Sequence, residues 1–439
     1  MGSYLPLIEG GKMKLIVKLK QHTPLIHFQH DQDGATLRAS ELKPKLDKFI
    51  IENVFEGDRK KYGRYTIGYN KEKNLIKNGM KSLNYKVKIN SYEANEVEMF
   101  KRNKMGRIEK NYPLFFGNMS TNEVEKKFTM YSKVEIEFFS FDSSLIEYIK
   151  NELPEFLFKT NFGTRQNKGF GSFFLDDKLT YIQDGKEYNY EREKIEAIKN
   201  NNKYKFNLLI KNTDKYRILF SNLETFYKSL RSGINRESRD VKINFYCKPA
   251  IYYYANSKKL SWDKKIIKNS GSIKRNNLEK ITLIKDILGL STIENWKTYK
   301  KNNVRMSFLK NIADIQRYKS PITFKIIEEN KGYDIYILID EKKELLNRLK
   351  KEEINITFNM EGEYELNDKN KILVKNLKKL NIADEVSVVD FFRYVFENDS
   401  FDYIKNIGKG YSETTSYKLL KSIYNQIKEN ARKVGDKND

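Results

Sequence analysis

Cysteine is nearly absent. Cys247 stands alone among 439 residues, which excludes an internal disulfide and a cysteine-based zinc site and fits a reducing, cytoplasmic compartment. Histidine is almost as scarce, with three in the chain, and no stretch approaches the roughly 18 consecutive apolar residues that a membrane span needs. The first residues, Met1 to Gly11, show no basic segment followed by an apolar core, so no signal peptide is expected; residues 1–12 read as a disordered or added extension and are set aside. Acidic charge is also in deficit, with 59 Asp and Glu against 83 Lys and Arg, a formal net charge of +24. That imbalance disfavours an ordinary small-metabolite enzyme and leaves three readings. One is a nucleic-acid partner, whose phosphates reward clustered cations by counterion release. Another is an anionic membrane surface, although no cationic helix with a clean apolar face is visible. The last is a drift of composition toward Lys and Asn that leaves much of the charge as solvated surface.

What is present is material for a folded protein. A hydrophobic fraction of 39%, with 13% aromatic residues, is far from the composition of disordered chains, and the length exceeds one typical core, so two domains are expected. Leu15, Val17 and Leu19 alternate with Ile16, Lys18 and Lys20, the period of a half-buried strand. A polar loop from His22 to Arg38 follows, then Leu42, Leu46, Phe49 and Ile50 at helical spacing, with Ser40 as the expected N-cap and Pro44 near the first turn. Short strand-like runs come at 65–69 and 85–89, a stronger strand at 128–141, and a helix carrying Leu145, Ile149, Leu153, Phe156 and Leu157. A glycine-rich turn and the apolar run Phe173-Phe174-Leu175 complete a βαββαβ order.

A second unit is expected after the polar run at 199–203. It opens with a strand at 204–210 and a helix marked by Ile218, Leu219, Leu223, Phe226, Tyr227 and Leu230 that Gly233 closes. A hairpin follows around Asn330-Lys331-Gly332, then a charged helix from Glu341 and a strand at 354–358. The expected division is 13–200 for the first unit, with its glycine-rich loop at 163–172, 201–428 for a ferredoxin-like and helical second unit, and 429–439 as a flexible tail.

The most specific local feature is Phe162-Gly163-Thr164-Arg165-Gln166-Asn167-Lys168-Gly169-Phe170-Gly171-Ser172, between a helix and a strand. Three glycines permit positive φ and close backbone approach to a ligand, while Arg165, Lys168 and free N–H groups suit phosphate oxygens. A helix cap with a tight turn is the plainer reading, for which one glycine suffices. The segment is neither a P-loop nor a dinucleotide fingerprint, because no Gly-Lys-Ser/Thr ending follows a strand and the loop leads into a strand rather than a helix.

These elements resemble a family. The N-terminal strand, His22-Thr23-Pro24-Leu25-Ile26, Leu37-Arg38-Ala39-Ser40-Glu41-Leu42-Lys43 and the later Gly-x-Arg-x4-Gly-Phe-Gly-Ser are similar to the repeat-associated mysterious protein (RAMP) superfamily of CRISPR effector subunits, and within it to the first subunit of type III-B Cmr complexes. Leu230-Arg231-Ser232-Gly233 and Arg317-Tyr318-Lys319-Ser320-Pro321-Ile322 agree with a duplicated chain of that kind. The motifs cover about a tenth of the chain, and Pro44 departs from the glycine found there in many relatives. The resemblance implies an α+β protein of two ferredoxin-like (RRM-like) RAMP units with insertions. It also implies a non-catalytic, cofactor-free and metal-free structural subunit in antiviral defence. Such a subunit holds the 3′ region of the guide RNA and caps the effector filament, with target single-stranded RNA and other RAMP subunits as partners and no membrane. Carried over by motif, Arg38, Ser40, Lys43 and the neighbouring Lys45, with Arg165, Asn167, Lys168, Gly169, Phe170 and Gly171, become RNA contacts. Phe170 is a stacking surface in that reading and core packing in the plainer one. Independently, Arg38 and Lys43 flank a helix N-terminus, where unpaired N–H groups and the dipole favour phosphate.

The second half has its own basic cluster, Arg231, Arg236 and Arg239, before Phe245-Tyr246 and Tyr252-Tyr253-Tyr254, with Arg317 and Lys319 further on. Cations interleaved with aromatics serve single-stranded RNA, whereas consecutive tyrosines are also common in strands with one packed and one wet side. A second function class remains open. His22, His27 and His30, followed by Asp31 and Asp33, lie in the loop after the first strand, where RAMP nucleases carry catalytic aspartate or histidine, so an endoribonuclease acting on guide precursor or target RNA is the alternative. The mid-chain position of the glycine loop favours the non-cutting reading.

Overall fold

The computed structural model describes residues 13–26, 36–70, 75–76, 82–97, 128–210, 215–237, 244–260, 262, 281–291, 293–297, 305–311, 317–329, 332–341, 355–361, 380–382 and 386–435. The principal elements in chain order begin with β1 (Met13–Gln21), α1 (Ala39–Asn53), β2 (Lys86–Glu96), β3 (Thr129–Ser140), α2 (Ser143–Lys159), β4 (Phe173–Leu175), β5 (Thr180–Gln183), β6 (Lys186–Asn189) and α3 (Arg192–Asn200). They continue with β7 (Lys205–Leu208), α4 (Lys215–Arg231), β8 (Ile234–Glu237), β9 (Asn244–Cys247), α5 (Ala250–Ser257), β10 (Ile322–Glu329), β11 (Gly332–Ile339), α6 (Val388–Phe396), α7 (Tyr403–Ile407) and α8 (Thr415–Gly435). Two compact units result. The first comprises residues 1–221, 324–337 and 434–439, and the second 222–323 and 338–433. The chain thus leaves the first unit near the middle of α4, later than the expected boundary at 200, and returns to it for most of β10 and β11.

In the first unit the alternation of β1 is realised directly. Leu15, Val17 and Leu19 face the core, each at most 2% exposed, opposite Phe138, Ile136 and Val134 of β3. The strand neighbours run β2–β3–β1–β4, all antiparallel, with the β5–β6 hairpin extending the sheet beyond β1. That neighbour order and the βαββαβ sequence are those of a ferredoxin-like unit. Helices α1 and α2 bury Leu42, Leu46 and Ile50, and Leu145, Ile149 and Leu153, all 0% exposed, each worth about 2 kcal/mol of apolar burial. Phe49 and Phe156 meet edge to face at 5.6 Å between the two helices. Asp142 caps α2 by accepting the Leu145 N–H at 3.2 Å. The other face of β1 is wet, and its lysines pair with acids: Lys14 with Glu137 at 3.0 Å, Lys20 with Asp177 at 3.1 Å and Lys18 with Glu187 at 4.0 Å.

In the second unit, strands 293–297, 305–311 and 355–361 form an antiparallel sheet, and β8 pairs with β9. The helical part is aromatic. Tyr424 of α8 stacks on Tyr403 at 4.6 Å and touches Phe396 at 5.3 Å and Phe226 at 5.7 Å. The expected hairpin strands at 322–327 and 333–339 are neighbours but belong for the most part to the first unit, where β11 also pairs with β7.

Several expectations are corrected. Ser40 is not the N-cap: Arg38 occupies that position with extended backbone and no side-chain cap bond, and Ser40 sits in the first turn. The run expected at 65–69 is not one continuous strand: Tyr65, buried in the core, ends a short 3-10 turn, Thr66 makes an isolated bridge with Leu83, and a two-residue strand starts only at Tyr69. Tyr252, Tyr253 and Tyr254 lie on helix α5, not on a strand, since Tyr254 has to reach Phe391 and Tyr394, both at 5.6 Å. The tail expected from 429 is helical through Gly435, because Ile427 and Ala431 continue the buried face of α8. The charged helix expected from Glu341 lies largely outside the described residues.

Candidate nucleic-acid interface

Helix α2 ends at Lys159, and Thr160 turns the chain into extended conformation. The segment from Asn161 to Ser172 then folds back on the residues following β1. Gly163, Gly169 and Gly171 all have positive φ, at 76°, 88° and 64°, and each lacks room for a side chain. A Cβ at Gly171 would stand 2.0 Å from the Phe162 carbonyl oxygen, one at Gly163 2.6 Å from that of Ile26, and one at Gly169 2.3 Å from Ile326 Cδ1. The three glycines therefore answer to the protein's own backbone and core, which corrects the expectation that they open an approach for a ligand.

The loop's N–H groups are similarly committed. Phe162 donates to the Gly171 carbonyl at 2.9 Å, Thr164 to Ile26 at 2.7 Å, Gly171 to Pro24 at 2.9 Å, and Lys168 and Gly169 to Arg165 and Gln166 at 2.8 and 3.0 Å. Ser172 N–H donates to Thr23 Oγ1 at 2.9 Å, whose hydroxyl donates to the Gly169 carbonyl at 2.7 Å. A phosphate cradle of backbone donors, as expected for Gly169 and Gly171, is thus not what these groups form. These donors are committed to the protein's own acceptors, so the chemistry the segment can offer resides in its side chains.

Glu41 of α1 is the buckle. Its carboxylate accepts from Gly163 N–H at 2.9 and 3.1 Å and from Gln166 Nε2 at 3.1 Å, and pairs with Lys45 at 2.7 Å. Lys45 also donates to the Asn161 carbonyl at 3.1 Å and to Gln166 Oε1 at 3.0 Å. The start of α1 and the glycine loop, distant in sequence, thus form one surface. Lys45 is consumed in joining them and is not the phosphate contact expected of it. Lys43 faces elsewhere, pairing with buried Asp47 at 2.8 Å, donating to the Leu83 carbonyl at 2.8 Å and lying 4.0 Å from the centre of the Tyr85 ring. Its expected RNA role is corrected likewise, because its ammonium satisfies a buried carboxylate.

Phe170 is 0% exposed and stacks on Phe220 at 3.8 Å, so the packing reading holds and the RNA-stacking reading does not. Arg38 and Ser40 are exposed, and Arg165, Asn167 and Lys168 are half-buried at the surface. Arg165 takes a left-handed conformation, φ 58°, uncommon for a residue with a side chain and costing about 1 kcal/mol, which the frame around it sustains. In the second unit Arg231 donates to the Gly289 carbonyl at 2.8 Å, and Arg236 lies in β8 opposite Phe245. Arg239 is outside the described residues.

Two buried groups help to hold the frame: Lys325, which is not among the expected site residues, and His22, which is expected only as an acid or base. Lys325 of β10 is 0% exposed, and its ammonium donates to the Phe173 carbonyl at 2.7 Å, the Thr160 carbonyl at 3.1 Å and Asn161 Oδ1 at 3.4 Å. Burial pulls its pKa well below the lysine range. Ser172 Oγ donates to the Ile326 carbonyl at 2.6 Å and Asn161 Nδ2 to that of Phe324 at 2.9 Å, so β10 clamps both ends of the loop. His22 is 2% exposed, with Nδ1 accepting the Glu328 N–H at 3.0 Å; burial first, then Lys325, Lys20 and Lys199, hold its pKa well below 6.5. It is a structural acceptor rather than a solvent-facing acid or base. His27, His30, Asp31 and Asp33 lie outside the described residues. Among the described residues no group of three His, Cys, Asp or Glu is placed to hold a metal, and no helix is long and apolar enough to cross a membrane.

A ferredoxin-like sheet whose glycine loop is buckled to its first helix is the build of a RAMP-type α+β subunit. A model of the Cmr1 N-terminal domain matches residues 12–234, and one of the Cmr1 C-terminal domain matches residues 246–426. The chain belongs to the Cmr1 family and is a structural subunit of a type III-B Cmr CRISPR effector. Among solved structures it is similar to apo Cmr1 from Pyrococcus furiosus, at 11% identity and a TM-score of 0.34 over 83% of this chain and 93% of that one. It is also similar to a chain of the type III-B Cmr-beta complex bound to cognate target RNA, at 13% identity and a TM-score of 0.25 over 40% of this chain and 62% of that one. No curated protein matches the chain.

Proposed function

We propose that this subunit holds the 3′ region of the guide RNA at the end of the effector filament in the cytoplasm, without cutting RNA itself, beside other RAMP subunits and the paired target RNA. One observation carries the reading. The glycine loop is held by hydrogen bonds to the protein's own acceptors and is joined through Glu41 to the first turn of α1, which supports a contact surface ordered before RNA arrives, with Arg165, Asn167 and Lys168 from the loop and Arg38 and Ser40 from the helix entry. Side chains of these types contact phosphate and sugar and carry little sequence information, as holding guides of many sequences requires. The wet face of the sheet is a poor alternative, because the lysines on β1 are paired with Glu137, Glu187 and Asp177. The test is binding of labelled single-stranded guide RNA by the whole chain and by Arg165→Gln/Lys168→Gln across a salt series. The variant should bind more weakly with a shallower salt dependence, and neither protein should cleave guide precursor or guide–target duplex with or without divalent metal. Cleavage that survives purification and disappears in His30→Ala or Asp31→Ala would replace this reading with the endoribonuclease.

A further inference from the structure

We propose that the second unit carries a separate stacking platform for unpaired RNA bases, formed by Tyr246, Lys248, Tyr252 and Trp262. The proposal rests on the RNA-holding reading and adds a second point of contact of a different chemistry.

In β9, Phe245 and Cys247 face inward while Asn244 and Tyr246 face out, and Tyr246 is 49% exposed. About half of this large side chain is thus left to solvent. Two residues on, Lys248 is exposed, with Nζ 4.2 Å from the centre of the Tyr252 ring and 3.1 Å from its hydroxyl. Among the described residues Lys248 pairs with no carboxylate, unlike the lysines of β1, each of which has one. Its charge is held over an aromatic face and left for an outside anion. Tyr252 is braced edge-on by Tyr253 at 5.1 Å and by Trp262 at 5.8 Å, so the ring is fixed in direction rather than free to collapse onto the surface. An exposed ring and two half-buried ones beside an uncompensated cation match one chemistry well: bases stack on the rings while the cation takes the adjoining phosphate. The glycine loop offers the opposite mixture, since its cations are at the surface and its aromatic residue, Phe170, is sealed in the core.

The test uses the full chain and labelled oligoadenylate, with an abasic oligomer carrying the same number of phosphates as the control. Tyr246→Thr keeps strand propensity and removes the ring. We expect it to bind oligoadenylate about tenfold more weakly with an unchanged salt slope, and to match the wild type on the abasic oligomer. Tyr246→Trp should restore binding, and Lys248→Gln should lower the salt slope by about 0.7. Wild-type affinity of Tyr246→Thr for oligoadenylate, or an equal loss on the abasic oligomer, would overturn the platform, as would normal RNA binding combined with failure to join the effector, which would make the patch a protein contact. If Arg165→Gln/Lys168→Gln weakens binding while Tyr246→Thr does not, only the platform fails. If the wild type binds neither oligomer, the RNA-holding reading falls with it.

Discussion

Both units place a glycine turn between a helix and a strand, and the two turns do different things. After α4, Ser232 and Gly233 donate back to the Lys228 carbonyl at 3.0 and 2.7 Å, Gly233 has φ 77°, and the chain enters β8 at once. The arginine there, Arg231, is tied to a backbone carbonyl. After α2, the chain instead spends a dozen residues and three glycines on a frame that carries Arg165, Asn167 and Lys168 at the surface. The surroundings differ in kind as well. The first turn is set in buried polar groups (Lys325, His22, Asn161, Ser172, Thr23), and the helices of the second unit are set in stacked tyrosine and phenylalanine. Directional bonds specify one loop conformation, whereas aromatic packing gives burial with less demand on backbone path. Likeness of motif across the two halves is therefore not likeness of role.

The sharpest break of this comparison is Gly171→Ala. With the Phe162 carbonyl in the way and φ positive, we expect a loss of roughly 3–4 kcal/mol in urea unfolding, and a smaller loss for Gly233→Ala, where the nearest atom is the Cys247 carbonyl oxygen at 2.6 Å. Next is Lys325→Met, which strands three acceptors around Asn161. It should cost about 2–3 kcal/mol, against about 1 kcal/mol for Tyr403→Phe, which removes a 2.8 Å bond to the Lys248 carbonyl and a weak 3.4 Å bond to Cys247 Sγ from the aromatic side. Equal losses would erase the distinction between a polar and an aromatic setting.

A smaller effect follows pH. The folded state keeps His22 neutral below 6.5, so as pH falls the unfolded chain takes up this proton first. The stability tied to neutral His22 is whole above the ordinary histidine range and is lost as pH falls below about 6.5, at up to about 1.4 kcal/mol per pH unit. In His22→Gln that share of the slope should vanish between pH 5 and 6.5, which a pH series of unfolding midpoints reads. The smallest effect separates the two lysines once expected to act alike. Lys43→Ala should weaken the fold without changing the salt slope of RNA binding, and Lys168→Ala should lower that slope by about 0.7 with the fold intact.

The period-two run of β1, the spacing of α2 and the glycine cluster were readable because each is a local pattern with a local cause. Partnership was not readable. Whether Lys43 meets solvent or Asp47, whether Phe170 meets a base or Phe220, and whether a glycine opens toward a ligand or toward the Phe162 carbonyl depends on residues far along the chain. Lys325 illustrates the limit. It reads as one more solvated cation in a lysine-rich sequence, yet it sits in a strand, Ile322-Thr323-Phe324-Lys325-Ile326-Ile327, whose near-continuous apolar run hints that a charge there is buried and bonded. Glu41 had a comparable hint, an acid in the first turn of α1, although its partner Gly163 could not be named from it.

The central claim is that the glycine loop holds RNA through its displayed side chains. The salt dependence of guide-RNA binding by the whole chain and by Arg165→Gln/Lys168→Gln tests it most directly. The account predicts weaker binding with a slope reduced by about 1.4, two phosphate contacts at about 0.7 each. Unchanged affinity and slope in a variant that folds normally would contradict it.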